Sequence, residues 1–337
     1  MKVLVTGGSG YVGIPLIELL LEKGHMVKCL DRFYFGREFI QEIADDRSLE
    51  LIADDIRWFD PNALKGVDVV IDLASLANDP SGELNPAKTY DINFLGRVRV
   101  AKFSKEYGVR RYILASTCSV YGFQDSVLTE ESRTNPITTY AKSALMAEKD
   151  VLLVSCSDFD VVVPRFATVY GLSHKMRFDL AINAMVLRLY QTGKIAVMRD
   201  GAQWRPFIHV KDVAKAYLML MEAEDVNGQV FNVGSDEQNY QLYPLAKLVG
   251  DCLNKPYEIE WYGDPDKRSY RVSFNKIKSV LGFEPDYTPH EGAKEIYEAL
   301  EKGEIKDTAK SRTVEWYRYL LDSERLLNEV LQRGTVL

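Results

Sequence analysis

Three glycines near the start of the chain carry its clearest chemistry. The apolar residues 3–5 run into Thr6-Gly7-Gly8-Ser9-Gly10-Tyr11-Val12-Gly13, in which Gly7, Gly10 and Gly13 are spaced G-x-x-G-x-x-G. Residues without a side chain permit a tight strand-to-helix turn and let backbone approach a pyrophosphate. The helix N-terminus that follows presents free N–H groups and the positive end of its dipole. A glycine triplet alone says little, but set directly between a strand and a helix it points to a dinucleotide, with Gly7, Gly10, Tyr11, Val12 and Gly13 as its cradle. Asp31, at the end of the second apolar run, can accept hydrogen bonds from ribose hydroxyls and repels a 2′-phosphate, which favours NAD over NADP. Arg32 beside it pulls the other way, since a guanidinium can receive that phosphate. Asp55, after the third run, is placed to bond an adenine amino group while Ile56 covers the ring face. Leu73-Ala74-Ser75 follows the fourth run, where backbone must pass close to the cofactor.

These residues need a scaffold, and the rest of the chain supplies one. Strand-like runs at residues 2–5, 26–30, 49–53, 67–74, 111–116 and 160–166 alternate with helical patterns at 11–23, 86–107 and 140–155. The run 67–74 is almost wholly apolar, as a central parallel strand should be. This alternation predicts an α/β fold: a Rossmann-like, doubly wound parallel sheet. After about residue 170 short strands (195–198, 230–233, 258–261) mix with helices (179–191, 210–223, 242–254, and a last one near 314–332). Residues 1–170 are therefore read as the NAD-binding domain, with later segments returning to it. Residues 171–337 are read mainly as a smaller substrate-binding lobe with C-terminal helices.

The bulk properties exclude several classes. The 337 residues carry a net charge of −7 and no basic stretch that would mark nucleic acid or an acidic membrane surface as a partner. No apolar run reaches spanning length, and the expected location is the cytoplasm. Cys29, Cys118, Cys156 and Cys252 lack metal-ligand spacing and do not form a disulfide framework; no metal site is expected.

Three further segments narrow the reading: Ser116-Thr117-Cys118-Ser119-Val120-Tyr121-Gly122, Thr139-Tyr140-Ala141-Lys142-Ser143, and Gly201-Ala202-Gln203-Trp204-Arg205-Pro206-Phe207-Ile208-His209 running on to Asp212. With the glycine turn they resemble the extended short-chain dehydrogenase/reductases, the NAD-dependent epimerase/dehydratase group, over roughly residues 1–285. The resemblance implies that Thr117 hydrogen-bonds a reacting sugar hydroxyl and that Tyr140 is the acid/base that passes its proton during hydride transfer. It also places Asn93, Ser116, Tyr140 and Pro164 along the cofactor. A tyrosine ionises near pH 10 and needs help to act as a base at neutrality. The family provides a lysine four residues later on the same helix face. Here that position is Ala144. Lys142 lies two residues on, about 200° around the helix, and cannot replace it. Three explanations stand open: deliberate removal of the lysine, which the helix-forming ability of alanine fits; a naturally slow enzyme or one using another base; or a binding protein descended from an enzyme.

The resemblance also bears on the reaction. Related 4,6-dehydratases place Thr-Asp-Glu where this chain has Thr117-Cys118-Ser119, and decarboxylating relatives place a glutamate in the same segment. Cys118 and Ser119 supply no such acid or base. What is left is oxidation at C4 of a nucleotide-diphosphate sugar, UDP- or GDP-linked, most simply as a 4-epimerase. The alternatives are a C4 dehydrogenase releasing a keto sugar, or a protein that binds cofactor and sugar nucleotide without turnover. Thr168 stands where UDP-galactose 4-epimerases usually have asparagine. Arg205 matches the arginine that grips the nucleotide phosphates, and its bidentate guanidinium suits that task. Arg268 is read as the second phosphate contact and Arg177 as a loop residue reaching the substrate. His209 is read as structural, and a homodimer is the family expectation.

Overall fold

The computed structural model describes residues 1–334 except 42, 44, 45, 265–267, 332 and 333. Its central sheet is built from β1 (Lys2–Thr6), β2 (Met26–Asp31), β3 (Leu49–Ala53), β4 (Val69–Asp72), β5 (Arg111–Leu114) and the strands Asp160–Phe166 and Gln229–Val233. Their spatial order is Gln229–Val233, Asp160–Phe166, β5, β4, β1, β2, β3, all parallel. Alternate residues of each strand go to opposite faces. Val3, Val5, Ile71 and Val162 pack under α1 (Gly13–Glu22) and the helix Val210–Glu222. Leu4, Val70, Tyr112 and Val163 form a separate core on the other side. Both faces are thus covered, which is why the strands read as unbroken apolar runs. The order reverses between β1 and β4, so a crevice opens beyond their carboxyl ends.

The helix expected over 86–107 is not one continuous helix. After α2 (Asp79–Leu84) come α3 (Pro86–Tyr90), a π-helical turn Asp91–Gly96, and α4 (Arg97–Glu106). Two contacts account for the wide turn. The Asn93 side chain clamps Leu76, accepting from its amide at 2.8 Å and donating to its carbonyl at 3.2 Å. Gly96 passes so close to Ile56 that a Cβ there would lie 3.0 Å from its side chain. A π turn shifts the phase of everything after it. Next, α5 (Thr139–Leu152) packs against α4 and carries Tyr140 and Ala144.

The second half crosses between two cores. Gln229–Val233 returns to the central sheet, whereas the strands Lys194–Met198 and Glu258–Tyr262 pair with each other. Helices Ala181–Thr192, Leu242–Cys252 and Pro289–Lys302 contribute the second core. Tyr11 of the glycine turn joins that core. Its hydroxyl donates to the Gly171 carbonyl at 2.7 Å and accepts from Asn183 at 3.1 Å, fixing the turn to the second lobe. The last helix runs Thr313–Val330; Gln332, to which it was expected to extend, lies outside the described residues. All four cysteines are free thiols. Among the described residues no helix is long and apolar enough to cross a membrane.

One buried ion pair ties α5 to the sheet. Arg165 donates from Nη2 at 2.7 Å and from Nε at 3.0 Å to Glu148, which also accepts from Ser116. Glu148 is 2% exposed. Arg165→Met strands that carboxylate and is expected to cost about 3–5 kcal/mol in chemical denaturation; Arg165→Met with Glu148→Gln should recover most of the loss.

Candidate active site

Two cavities meet over the sheet's switch point, sharing Tyr11, Val12, Leu73, Ser75, Ala77 and Arg177. The first lies over the glycine turn. Gly7 has φ +67°, and a Cβ on it would sit 2.9 Å from the Ala74 backbone; a Cβ on Gly13 would sit 2.5 Å from the Gly8 carbonyl oxygen. No side chain caps the start of α1; within its first turn Ile14 N–H donates to the Gly10 carbonyl at 3.1 Å and Pro15 has no N–H, so the start of the helix at Gly13 is what faces a ligand. Asp31 is held by the amides of Ser9 at 3.0 Å and Phe33 at 2.7 Å. Burial pushes its carboxyl above the usual value, against those two bonds. The cradle that glycines alone can form, together with a preoriented Asp31 at its rim, fits a dinucleotide.

Every residue assigned to the glycine turn, the adenosine end and the 73–75 segment lines this cavity: Gly7, Gly10, Tyr11, Val12, Gly13, Asp31, Arg32, Asp55, Ile56, Leu73, Ala74 and Ser75. Asp55 is also engaged within the protein. Its carboxylate accepts from Arg57 at 2.8 and 3.0 Å and lies 3.7 Å from Arg32. Burial would raise its pKa, but the Arg57 hydrogen bonds and charge win and hold it below the usual range. Three wall residues come from parts of the chain far from the motif. Lys175, whose ammonium lies 3.7 Å from the Phe35 ring centre, is lowered by burial to about 7. Thr313 and Tyr317 of the last helix close the same side.

The second cavity gathers Thr117, Tyr140, Ala144, Asn93, Ser116, Thr168, Arg177, Arg205 and Arg268. Pro164 lies in mid-strand, paired with Phe231 and outside both cavities; Phe166 to Val169, just beyond it, form the wall instead. Ser116 turns its hydroxyl to Glu148, and Asn93 spends its amide on Leu76, so both shape the wall through its framework. The start of α5 is fixed tightly. Thr138 caps it through Ala141 N–H at 3.2 Å and donates to Asp79, while Glu83 accepts from Thr139 N–H at 2.7 Å. Two carboxylates at a helix N-terminus also suit its dipole. Thr117 is set by Ser119, whose N–H donates to its hydroxyl oxygen at 3.1 Å.

Tyr140 and Thr117 line this cavity together. Burial pushes the Tyr140 phenol above its ordinary pKa and Asp79 adds to this; Thr117, Arg97 and Arg177 oppose it. Cys118 is buried, its thiol pushed up by burial and donating to the Arg165 carbonyl at 3.3 Å, so it offers the cavity no acid or base. Lys142 and Lys149 are exposed and away from the cavity. His209 is fully buried, stacked on Tyr287, with Nε2 2.6 Å from Glu295 and Nδ1 accepting from Lys211 N–H, which makes it a structural residue.

At the far end, Arg205 lies over the Tyr270 ring at 5.1 Å and donates to the Arg268 carbonyl. Arg268 itself pairs with Asp79, and Arg177 with Asp179 at 2.9 Å. Asn78, with φ +114°, joins these groups by donating to Asp179 at 2.6 Å. A non-glycine residue in that conformation at a cavity wall is strain of the kind that functional sites hold. The sequence reading missed Asp79, Arg97 and Tyr270. The signal for Asp79 was the Asn78-Asp79-Pro80 turn, a helix start with a capping side chain.

Residues 3–234 match the model of the NAD dependent epimerase/dehydratase family. The chain is 29% identical over 304 residues to UDP-glucuronic acid decarboxylase 4 of Arabidopsis thaliana, covering 87% of this chain and 67% of that protein. It is 27% identical to the uncharacterised UDP-glucose epimerase YtcB of Bacillus subtilis, covering 85% and 93%. Among solved structures it resembles MoeE5 in complex with UDP-glucuronic acid and NAD, with TM-score 0.78, 25% identity and coverage of 95% and 100%. The fold also matches UDP-glucuronic acid 4-epimerase from Bacillus cereus, with TM-score 0.81, 21% identity and coverage of 90% and 99%.

Proposed function

The chain belongs to the NAD dependent epimerase/dehydratase family, and from that premise we propose that it is a UDP-sugar 4-epimerase. The observation that carries this reading is that Thr117 and Tyr140 share the sugar-side cavity, which adjoins the glycine-turn cavity and is also lined by Arg205 and Arg268. NAD, when bound, supplies a hydride acceptor and then a hydride donor. The chain's residues do the rest. The glycine turn takes the pyrophosphate and Asp31 the ribose hydroxyls. Tyr140 accepts the proton of the C4 hydroxyl as the carbon is oxidised and returns it after the keto sugar has turned, and Thr117 keeps that hydroxyl aligned. Arg205 and Arg268 hold the diphosphate.

The nature of the sugar cavity supports epimerisation over elimination. Cys118 is turned into the core, and both oxygens of Asp79 are engaged, one by Thr138 and one by Arg268. The relatives named as epimerases and as UDP-sugar complexes support the UDP-linked substrate.

The test is incubation with UDP-glucose and UDP-glucuronic acid in the presence of NAD, followed by NMR of the sugar and absorbance of NADH. C4 interconversion without lasting NADH is expected. Lasting NADH with a keto sugar would make the protein a C4 dehydrogenase, and neither product would sink the enzyme reading for these sugars. Arg205→Met should raise KM by about 10- to 100-fold with kcat little changed, because the phosphates are held equally in ground and transition states.

A further inference from the structure

Resting on the epimerase reading, we propose that Arg97 replaces the lysine missing at position 144: its guanidinium is the cation that serves Tyr140, and Ala144 leaves it the room. Arg97 is the first residue of α4, which packs on the helix carrying Tyr140 and Ala144, and all three line the same cavity. It is a buried arginine, 3% exposed. Its Nη2 donates at 2.7 Å to two carbonyls, those of Asp72 at the end of β4 and Ala115 just beyond β5. These bonds hold the guanidinium at the carboxyl ends of β4 and β5, in the cavity that Tyr140 also lines.

The arrangement is costly, and core packing alone does not explain it. Nε is buried without a hydrogen-bond partner and reaches Asp72 only at 3.5 Å. Asp72 is meanwhile committed to the hydroxyls of Thr6 and Tyr112. Buried orphan donors are rare, and a side chain that keeps one at a cavity wall is retained for something other than stability. A buried cation near a phenol stabilises the phenolate, the task the lysine performs elsewhere.

Among the groups that share the cavity with Tyr140 are Asp79 of α2, Thr117, Arg97 of α4, Arg177 from the second lobe, and Tyr217 from the helix Val210–Glu222. Arg177 is the other cation; like Arg97 it is paired with a carboxylate, Asp179, and it also donates to the Ala77 carbonyl. Of the two cations, Arg97 comes from α4, which packs on the helix carrying Tyr140 and Ala144. A lysine at 144 would bring a second cation into the wall Arg97 already occupies, so the exchange of lysine for alanine and the arginine on α4 make one consistent site.

The experiment compares four proteins: the chain itself; Ala144→Lys; Asp72→Asn with Arg97→Met, which removes the pair while leaving no uncompensated buried charge; and the last two combined. Each carries 3,5-difluorotyrosine at position 140, so that fluorine NMR follows the ionisation of this one phenol without cofactor or substrate. The pH profile of UDP-sugar turnover is measured in parallel. Removing the Arg97 pair should move the fluorophenol's ionisation up by about one pH unit, a tenfold change in its equilibrium, and carry the rising limb of the profile with it. Adding Ala144→Lys to that background should bring both back. An unchanged ionisation in the Arg97 variant overturns the proposal, as does a shift of that size in Arg177→Met with Asp179→Asn instead. Should the Arg97 variant fail to fold, Ala144→Lys alone decides. No gain in kcat supports Arg97 as the resident cation, and a gain of tenfold or more refutes it. If the fluorine shift occurs and no UDP-sugar turns over, the epimerase reading fails and the assignment of Arg97 stands.

Discussion

Tyr140→Phe is expected to lower kcat by about a thousandfold while leaving NAD and UDP-sugar affinity within severalfold, the usual size of effect for a positioned acid/base. The phenol ring is held by features the substitution leaves alone. A Cβ on Gly82 would lie only 2.9 Å from the Tyr140 Cβ, so α2 packs directly on this residue, and Thr138 and Glu83 fix the helix start. What is lost is the hydroxyl that the reacting sugar needs, in the cavity Tyr140 shares with Thr117. The pH dependence sharpens the test. Tyr140 must be a phenolate to accept the proton, and burial raises its pKa. Oxidation of the sugar should therefore rise with pH on the alkaline side of neutrality, with the limb absent from the residual activity of Tyr140→Phe. Steady-state kinetics across pH, with calorimetry for binding, checks both parts. A fall of less than tenfold, with the limb intact, would mean that another group moves the proton.

The parts of this site visible in the sequence are those fixed by local geometry. A strand, three glycines and a helix within the first residues define the cradle, because only the missing Cβ atoms of Gly7 and Gly13 let backbone segments pass so closely. Thr117 and Tyr140 were placed by motif, and the structure brings them to one cavity. The residues that escaped notice are those whose direction depends on something distant. Arg97 follows a π turn, so counting 3.6 residues per turn from residue 86 mis-phases it. Lys175, Thr313 and Tyr317 reach the cofactor cavity only because the last helix folds back over Tyr34 and Phe35. Residues 229–233 read as one more short strand of the second half, yet they extend the central sheet beside Asp160–Phe166. Pro164 was misplaced for a related reason. The motif fixes the neighbourhood of the strand end, whereas pairing that continues to Phe166 and Val233 sets where the strand actually stops and the cavity wall starts.

Two substitutions in the glycine turn should separate folding from cofactor binding. A Cβ on Gly13 would meet the Gly8 carbonyl group at 2.5 and 2.6 Å, contacts to backbone that cannot rotate away. Gly13→Ala must therefore push α1 off the turn, at an overpacking cost of about 1–3 kcal/mol. The same shift moves the first amides of α1 from the pyrophosphate position. The expected result is a lower Tm for the free protein together with NAD binding weakened by about tenfold or more, since each tenfold in Kd is about 1.4 kcal/mol. At Gly10 the nearest atom to an added Cβ is the Gly7 carbonyl oxygen at 3.1 Å, and the residue lines the cofactor cavity. Gly10→Ala should thus leave the Tm of the free protein nearly unchanged and still weaken NAD binding by a similar factor, because the new methyl group stands where the pyrophosphate must approach the backbone. Thermal denaturation without cofactor and calorimetric titration with NAD measure the two effects independently. Equal losses of Tm in both variants would mean that the turn is rigid throughout and that its glycines serve packing alone. Unchanged NAD affinity in Gly10→Ala would move the pyrophosphate away from the cradle and remove the physical basis for placing the dinucleotide there.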